Sequence, residues 1–439
     1  MEALPFGGGK EMTFRVSRRN FVAGGATLLS LSALGTSALA QETRLRLLWW
    51  GSQPRADRTN KVSQLYQSKK PGTSITGEFL GWGDYWPRLA TQVAGRNAPD
   101  VIQMDYRYIV QYARRGALAP LESYMPAKLN LDDFDKAQIE GGSVDGHLYG
   151  VSLGANSAAT VLNTTAFKEA GVDLPTQATT WEEFGRIGAE ITKAGKRKGM
   201  FGIADGSGGE PLFENWLRQR GKALYTADGK IAFDVDDASE WYDMWAKFRE
   251  AGACVPADIQ ALDKNDIETN TVSLGKSAAG FAHSNQFVAY QAMNKDKLAL
   301  TNYMRIKPES KGGHYRKPSM FFSVSAQSKA VDLAVDYVNF FVKNPEAALL
   351  LDVERGIPES SAMREVVAAK LDENGKVALA YVSGLGELAG KLPPPPPAGA
   401  GEGELMLRNI AEQVGFGQLS PSDGGKQLVA EITQILARG

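Results

Sequence analysis

The sequence predicts an α/β protein of two lobes, on three observations. Residues 44–104 alternate between short apolar runs and amphipathic stretches in a β-α-β-α-β order, and the chain keeps the same grammar beyond residue 150. Its 439 residues also exceed one core of roughly 100–200 residues. Such alternation builds a mainly parallel sheet with helices on both faces.

Each element has a local cause. Arg44 to Trp50 is an apolar run broken by Arg46 and reads as the first strand. Asp57 to Lys69 carries Val62, Leu65 and Tyr66 on one helical face and stops at Pro71-Gly72. Ser74 to Leu80 alternates as a strand, Asp84 is placed to cap a helix running to about Ala94, and Asp100 to Met104 forms the third strand. Thr180-Trp181-Glu182-Glu183 has the form of a capping box. Trp241, Trp245 and Phe248 recur at helical spacing and read as core. Pro393 to Pro397 predicts a polyproline segment bridging packed elements.

The first 40 residues read as an export signal. Ser17-Arg18-Arg19-Asn20-Phe21-Val22 resembles the twin-arginine motif, an uncharged run follows, and Ala38-Leu39-Ala40 is a small-x-small cleavage pattern. Cleavage is expected between Ala40 and Gln41, leaving a soluble periplasmic chain. Met12 offers an alternative start. Without that segment the formal charge moves from −1 to about −3, which favours neither nucleic acid nor an anionic membrane. Cys254 is the single cysteine, so no intrachain disulfide or cysteine metal cluster can form.

Catalytic constellations are sparse. His147, His283 and His314 are widely separated and make no zinc spacing. No nucleophile elbow stands between a strand and a helix, and Gly206-Ser207-Gly208-Gly209 lacks the lysine of a phosphate loop, so it reads as a flexible loop. Asp132/Asp133 and Asp236/Asp237 sit where caps and first-turn charges belong. No catalytic residue, cofactor or metal is expected.

In order along the chain stand "LLWWGSQPRADRT", "GWGDYWPRLATQVAGRNAPDVIQMDY", "GALAPLESYM", "DGHLYGVSLGANSAATVLNTTAFKEAGV", "TTWEEF", "GKSAAGFAHSNQ" and "ERGIPES". Together they resemble the extracellular solute-binding proteins of family 1, the sugar-binding components of ABC importers. The resemblance implies the two-lobed periplasmic-binding-protein fold, with mixed, mainly parallel sheets, crossovers between lobes and a ligand cleft. It places the N-terminal lobe at 41–154 plus 286–320 and the C-terminal lobe at 155–285 plus 321–439. It implies a carbohydrate ligand, a di- or oligosaccharide with a uronate-containing one among the alternatives. The implied partners are an inner-membrane permease with its ATPase, and the chain is expected to be a monomer. A secreted glycosidase or lyase, and a chemosensory sugar-binding component, are the rival classes.

The matching segments nominate the ligand contacts. A sugar offers hydroxyls to polar groups and a ring face to aromatics, so Asp105 and Tyr106 at the end of the third strand are candidates. With them stand Ser52, Gln53 and Arg55 after the first strand, Trp82 in the next turn and Asn156 at the first crossover. The second lobe offers Glu214, Asn215 and Trp216, then Ser284, Asn285 and Gln286, and finally Arg355 and Gly356.

Overall fold

The computed structural model describes residues 43–438; the expected export signal and cleavage site lie outside them. The chain opens with β1 (Thr43–Trp50), α1 (Gln53–Lys69), β2 (Thr73–Leu80), α2 (Trp82–Ala94) and β3 (Val101–Met104). All three strands are parallel, β1 pairing with β2 throughout and with β3 at Leu47 and Leu48. Gly81, not Asp84, is the residue preceding α2, and Asp84 falls in its first turn. A carboxylate there favours the positive end of the helix without capping it.

Short strands β4 (Val151–Ser152) and β5 (Ala155–Asn156) lead to β6 (Ala158–Asn163), α3 (Trp181–Ala194), β7 (Phe201–Ile203) and α4 (Glu210–Gln219). There follow α5 (Val235–Glu250), β8 (Ser277–His283), β9 (Leu298–Thr301), β10 (Lys317–Pro318) and β11 (Phe321–Val324). Near the C-terminus α6 (Ala400–Gly415) and α7 (Pro421–Leu436) pack on one another and on α5. The expected capping box is present, Thr180 Oγ1 accepting from the Glu183 amide while Glu183 reaches back. Trp241 and Trp245 are fully buried in the second core. A second capping box joins Asp234 and Asp237, which accounts for the Asp236/Asp237 pair. Asp133 instead takes hydrogen bonds from Lys343 (2.5 Å) and Ser360 (2.6 Å).

Among the described residues, two sheets carry the lobes. The first has the order β2-β1-β3-β11-β4 and the second β9-β6-β8-β7. This relocates two expected boundaries. Leu298–Thr301 was placed in the first lobe, yet β9 pairs antiparallel with β6 of the second sheet. Phe321–Val324 was placed in the second, yet β11 pairs antiparallel with β3, Phe321 opposite Met104. Both are apolar runs, and only their non-local partners decide the sheet.

Three crossover segments converge between the sheets. β5 pairs antiparallel with β10, Asn156 opposite Lys317. Ala155 exchanges two backbone hydrogen bonds with Ile357, at 2.7 and 2.9 Å, and the Ser319 amide donates to the Gly154 carbonyl at 2.7 Å. Gly356 enters this bundle at φ +104°, and a Cβ there would lie 2.5 Å from the Ala155 carbonyl oxygen. Only glycine meets both demands. Beside it Glu359 is buried, one carboxylate oxygen accepting from Arg316 at 3.1 Å and the other without a hydrogen bond from any described residue.

Burial pushes the Glu359 carboxyl from 4.5 up to about 7, so the folded chain favours its protonated form. That contribution is complete below the ordinary carboxylate range and is lost as pH rises through about 7, on the order of 3 kcal/mol. Glu359→Gln is therefore expected to flatten the decline of stability between about pH 4.5 and pH 8, checked by urea unfolding across that range.

Candidate functional site

Between the two sheets lies a cavity of about 260 Å³, near the lower edge of the ~300–1,000 Å³ of small-ligand sites. Both sides contribute to it. From the first come the strand-end residues Trp50 and Ser52, then Arg55, Trp82, Asp105 and Arg107; the second adds the loop 205–209 before α4, the turn around Asp263 and one face of α6. The cause is topological: parallel strands end at one edge of a sheet, and the loops leaving that edge form the crevice.

The aromatic wall is built by sequence-local packing. α2 turns Trp82 toward Trp50, ring centroids 5.2 Å apart and edge to face, while Trp86 stacks on Tyr108 behind them at 3.6 Å. Trp82 is half-buried and lines the cavity, with the Arg107 guanidinium 5.8 Å from its ring centroid. Its amide donates to Asp266 Oδ1 of the facing lobe at 2.7 Å.

Arg107 closes the cavity from the first lobe. Its Nε and Nη2 donate to the two Glu210 carboxylate oxygens at 2.7 and 3.0 Å, and its Nη1 donates to Glu404 Oε2 at 2.9 Å. Glu210 opens α4 and Glu404 lies on α6, so one guanidinium ties the end of β3 to two elements of the other lobe. All three side chains are buried. Burial raises the Glu404 carboxyl and Arg107 draws it back down.

The hinge supplies a chain of amides. Asn156 Nδ2 donates to Asn285 Oδ1 at 2.7 Å, Asn285 Nδ2 to the Glu354 carbonyl at 3.1 Å, and Arg55 Nε grips the Glu354 carboxylate at 2.7 and 3.0 Å. Asn156 Oδ1 and Ser52 Oγ are buried and receive no hydrogen bond from any described residue. Both residues line the cavity. A buried acceptor without a donor is costly, and a ligand can supply one.

Seven of the fifteen residues nominated from sequence line this cavity: Ser52, Arg55, Trp82, Asp105, Asn156, Asn285 and Gln286. Asp105 combines two roles, since its Oδ1 also accepts from the Arg107 amide at 2.9 Å. The other eight lie elsewhere. Gln53 is exposed and holds Asp57 at 2.8 Å. Tyr106 points to the proline run and donates to the Pro393 carbonyl at 2.6 Å, which ties that run to the first lobe. Glu214 accepts from Tyr315 at 2.6 Å and Asn215 from Gln219 at 2.8 Å, because α4 turns only its first residues to the cavity. Trp216 is core against Phe213 and Trp241, with the Arg220 guanidinium 3.6 Å over its ring. Ser284 is buried and accepts from the Ser157 amide at 3.3 Å.

Arg355 is the largest correction. It is wholly buried in the first lobe, where Nη2 donates to Thr59 at 2.9 Å and to Gln103 at 3.3 Å beneath Phe341. Burial lowers its guanidinium to about 9. Gly356 serves the crossover packing described above. Sequence reasoning passed over Trp50, Arg107, Glu210, Glu404 and the loop 205–209. Arg107 follows directly on Asp105-Tyr106 at the end of the third strand; Glu404 follows the proline run and carries no local signal.

Among the described residues no helix is long and apolar enough to cross a membrane. The model for the bacterial extracellular solute-binding proteins matches residues 62–370. A carbohydrate ABC transporter substrate-binding protein of Streptococcus pneumoniae is 24% identical over 63% of this chain and 57% of its own. The chain spans less than two thirds of the length of the curated relatives it matches, 62% for the first. An extracellular solute-binding protein of family 1 from Alicyclobacillus acidocaldarius is 30% identical, with a TM-score of 0.63 over 90% of this chain and 98% of that one. A periplasmic oligogalacturonide-binding protein from Yersinia enterocolitica, solved with saturated digalacturonic acid, is 21% identical and superposes with a TM-score of 0.81 over 90% and 99% of the two chains.

Arg107→Met would leave Glu210 and Glu404 buried without their counter-ion, a cost of about 3–5 kcal/mol to the joined arrangement of the lobes. The variant is expected to show a larger radius of gyration by X-ray scattering and a lower urea midpoint. Unchanged values of both would mean that the cluster does not join the lobes. The two-lobed architecture, the cavity between its sheets and the match over residues 62–370 agree, and the chain belongs to the bacterial extracellular solute-binding proteins.

Proposed function

We propose that this chain is the saccharide-binding component of an ABC importer: it captures a di- or oligosaccharide between its lobes and catalyses nothing. One observation carries the reading. Half-buried Trp82, beside Trp50, lines a cavity whose opposite wall is carboxylates and amides of the other lobe. That pairing of a flat apolar face with hydroxyl-binding groups is what a pyranose requires. The names of the relatives point the same way, through carbohydrate in one and oligogalacturonide in another.

The mechanism follows from the two-sided lining. A ligand shifts the equilibrium between open and closed lobes only by its differential affinity for the closed form, so contacts from both lobes convert binding into closure. Trp82 would stack on a ring, Asp105 would accept from hydroxyls, and Asn156 would find the donor that its Oδ1 lacks. The closed form would be read by a membrane permease with its ATPase. A periplasmic monomer exported by the twin-arginine route completes the proposal.

Thermal unfolding against a saccharide panel, with product analysis of each mixture, tests it. A ligand at ~100 times its dissociation constant adds roughly 2.7 kcal/mol of stability and raises Tm by a few degrees. Trp82→Ala and Asn156→Ala are each expected to weaken binding at least about tenfold, or ~1.4 kcal/mol, by calorimetry. Product formation, or a bound sugar indifferent to both substitutions, would overturn the reading.

A further inference from the structure

The charge lining the cavity is lopsided. It is lined by nine carboxylates and four cationic side chains. The two arginines placed to read a ligand carboxylate are already engaged. Arg55 is occupied by Glu354 and by the Trp50 carbonyl at 3.0 Å, Arg107 by Glu210 and Glu404. Asp205 is paired with Arg249. Asp263, Asp266, Glu268 and Glu412 form no ion pair with any described residue within 4.0 Å, against two such cations, Lys317 and Arg408.

Asn156 is 2% exposed, and its unpartnered atom is an acceptor, Oδ1. An ionised carboxylate brings no donor to it, whereas a hydroxyl or an ammonium does. A uronate would thus set its carboxylate among a surplus of like charge in a partly desolvated cleft, and only its hydroxyls, not that carboxylate, satisfy the acceptor.

Resting on the saccharide-binding reading above, we infer that the cleft selects saccharides without a carboxylate: it takes neutral rings, gains from a protonated amino group and discriminates against uronates. Specificity here is a difference between affinities, built by repulsion as much as by attraction. The unpaired carboxylates of the second lobe are the repulsive element.

The test is calorimetric titration of the full chain with disaccharide sets in the glucose, galactose and mannose series. Each set holds the hexose, its uronate and its 2-amino form, measured at about 0.1 M and about 1 M salt. In a series that binds, the uronate is expected to bind at least about tenfold more weakly than the hexose, and the amino form at least as tightly as the hexose. The gap should narrow at high salt, as screening requires. A Glu268→Gln/Glu412→Gln variant should narrow the hexose-to-uronate ratio at low salt; Glu268 is exposed, Glu412 is half-buried, and neither forms an ion pair with any described residue within 4.0 Å. A uronate binding as tightly as its hexose, or a ratio unmoved by salt and by the variant, would overturn the charge selection while leaving sugar binding intact. Binding by no member of any series would bring down the saccharide reading and this inference with it.

Discussion

One guanidinium sets the geometry on which the rest of the site depends. Arg107 stands just beyond the end of β3 and holds Glu210 and Glu404, from two separate helices of the other lobe, in a buried cluster. Buried ion pairs of this kind add little net stability, because desolvation offsets attraction, but they are intolerant of losing one member. Their effect is to specify an arrangement. With Arg107 in place, Trp82 meets Asp266 across the cleft, and the cavity acquires walls from both lobes.

The hinge is built to the opposite requirement. Three crossovers are held by short antiparallel pairings and by backbone contacts so close that Gly356 has no room for a side chain. Arg355, beside it, is turned into the first core, where Thr59, Gln103 and two phenylalanine rings hold it. The amide chain from Asn156 through Asn285 to Glu354 and Arg55 runs through these crossovers. Any ligand that reaches Asn156 therefore touches the segments that join the two lobes.

Local physics made much of the fold legible in the sequence. The apolar run of β1, the Thr180 capping box and the paired tryptophans of α5 are decided within a few residues of themselves, and they stand where periodicity placed them. The start of α2 was misplaced because Gly81 precedes it without side-chain capping. Sheet membership of Leu298–Thr301 and Phe321–Val324 was not legible, since it rests on partners more than a hundred residues away. The site divided in the same manner. Residues at strand ends, such as Ser52 and Asp105, fall in the cavity because topology sends strand ends there. Residues nominated along helices, such as Glu214 and Trp216, fail because one helical turn carries a side chain from cleft to core. Glu404 and Arg408 arrive on a late helix whose docking no neighbouring residue announces.

In the proposed function one saccharide is held from both lobes at once, between the Trp82 ring and the hinge amide of Asn156. A crystal structure of the chain with its tightest-binding saccharide tests this most directly. The expected result is a sugar ring stacked on Trp82, a hydroxyl or ammonium donating to Asn156 Oδ1, and further contacts from the carboxylates of the second lobe. A sugar bound outside this cavity, or one touching a single lobe, would contradict it.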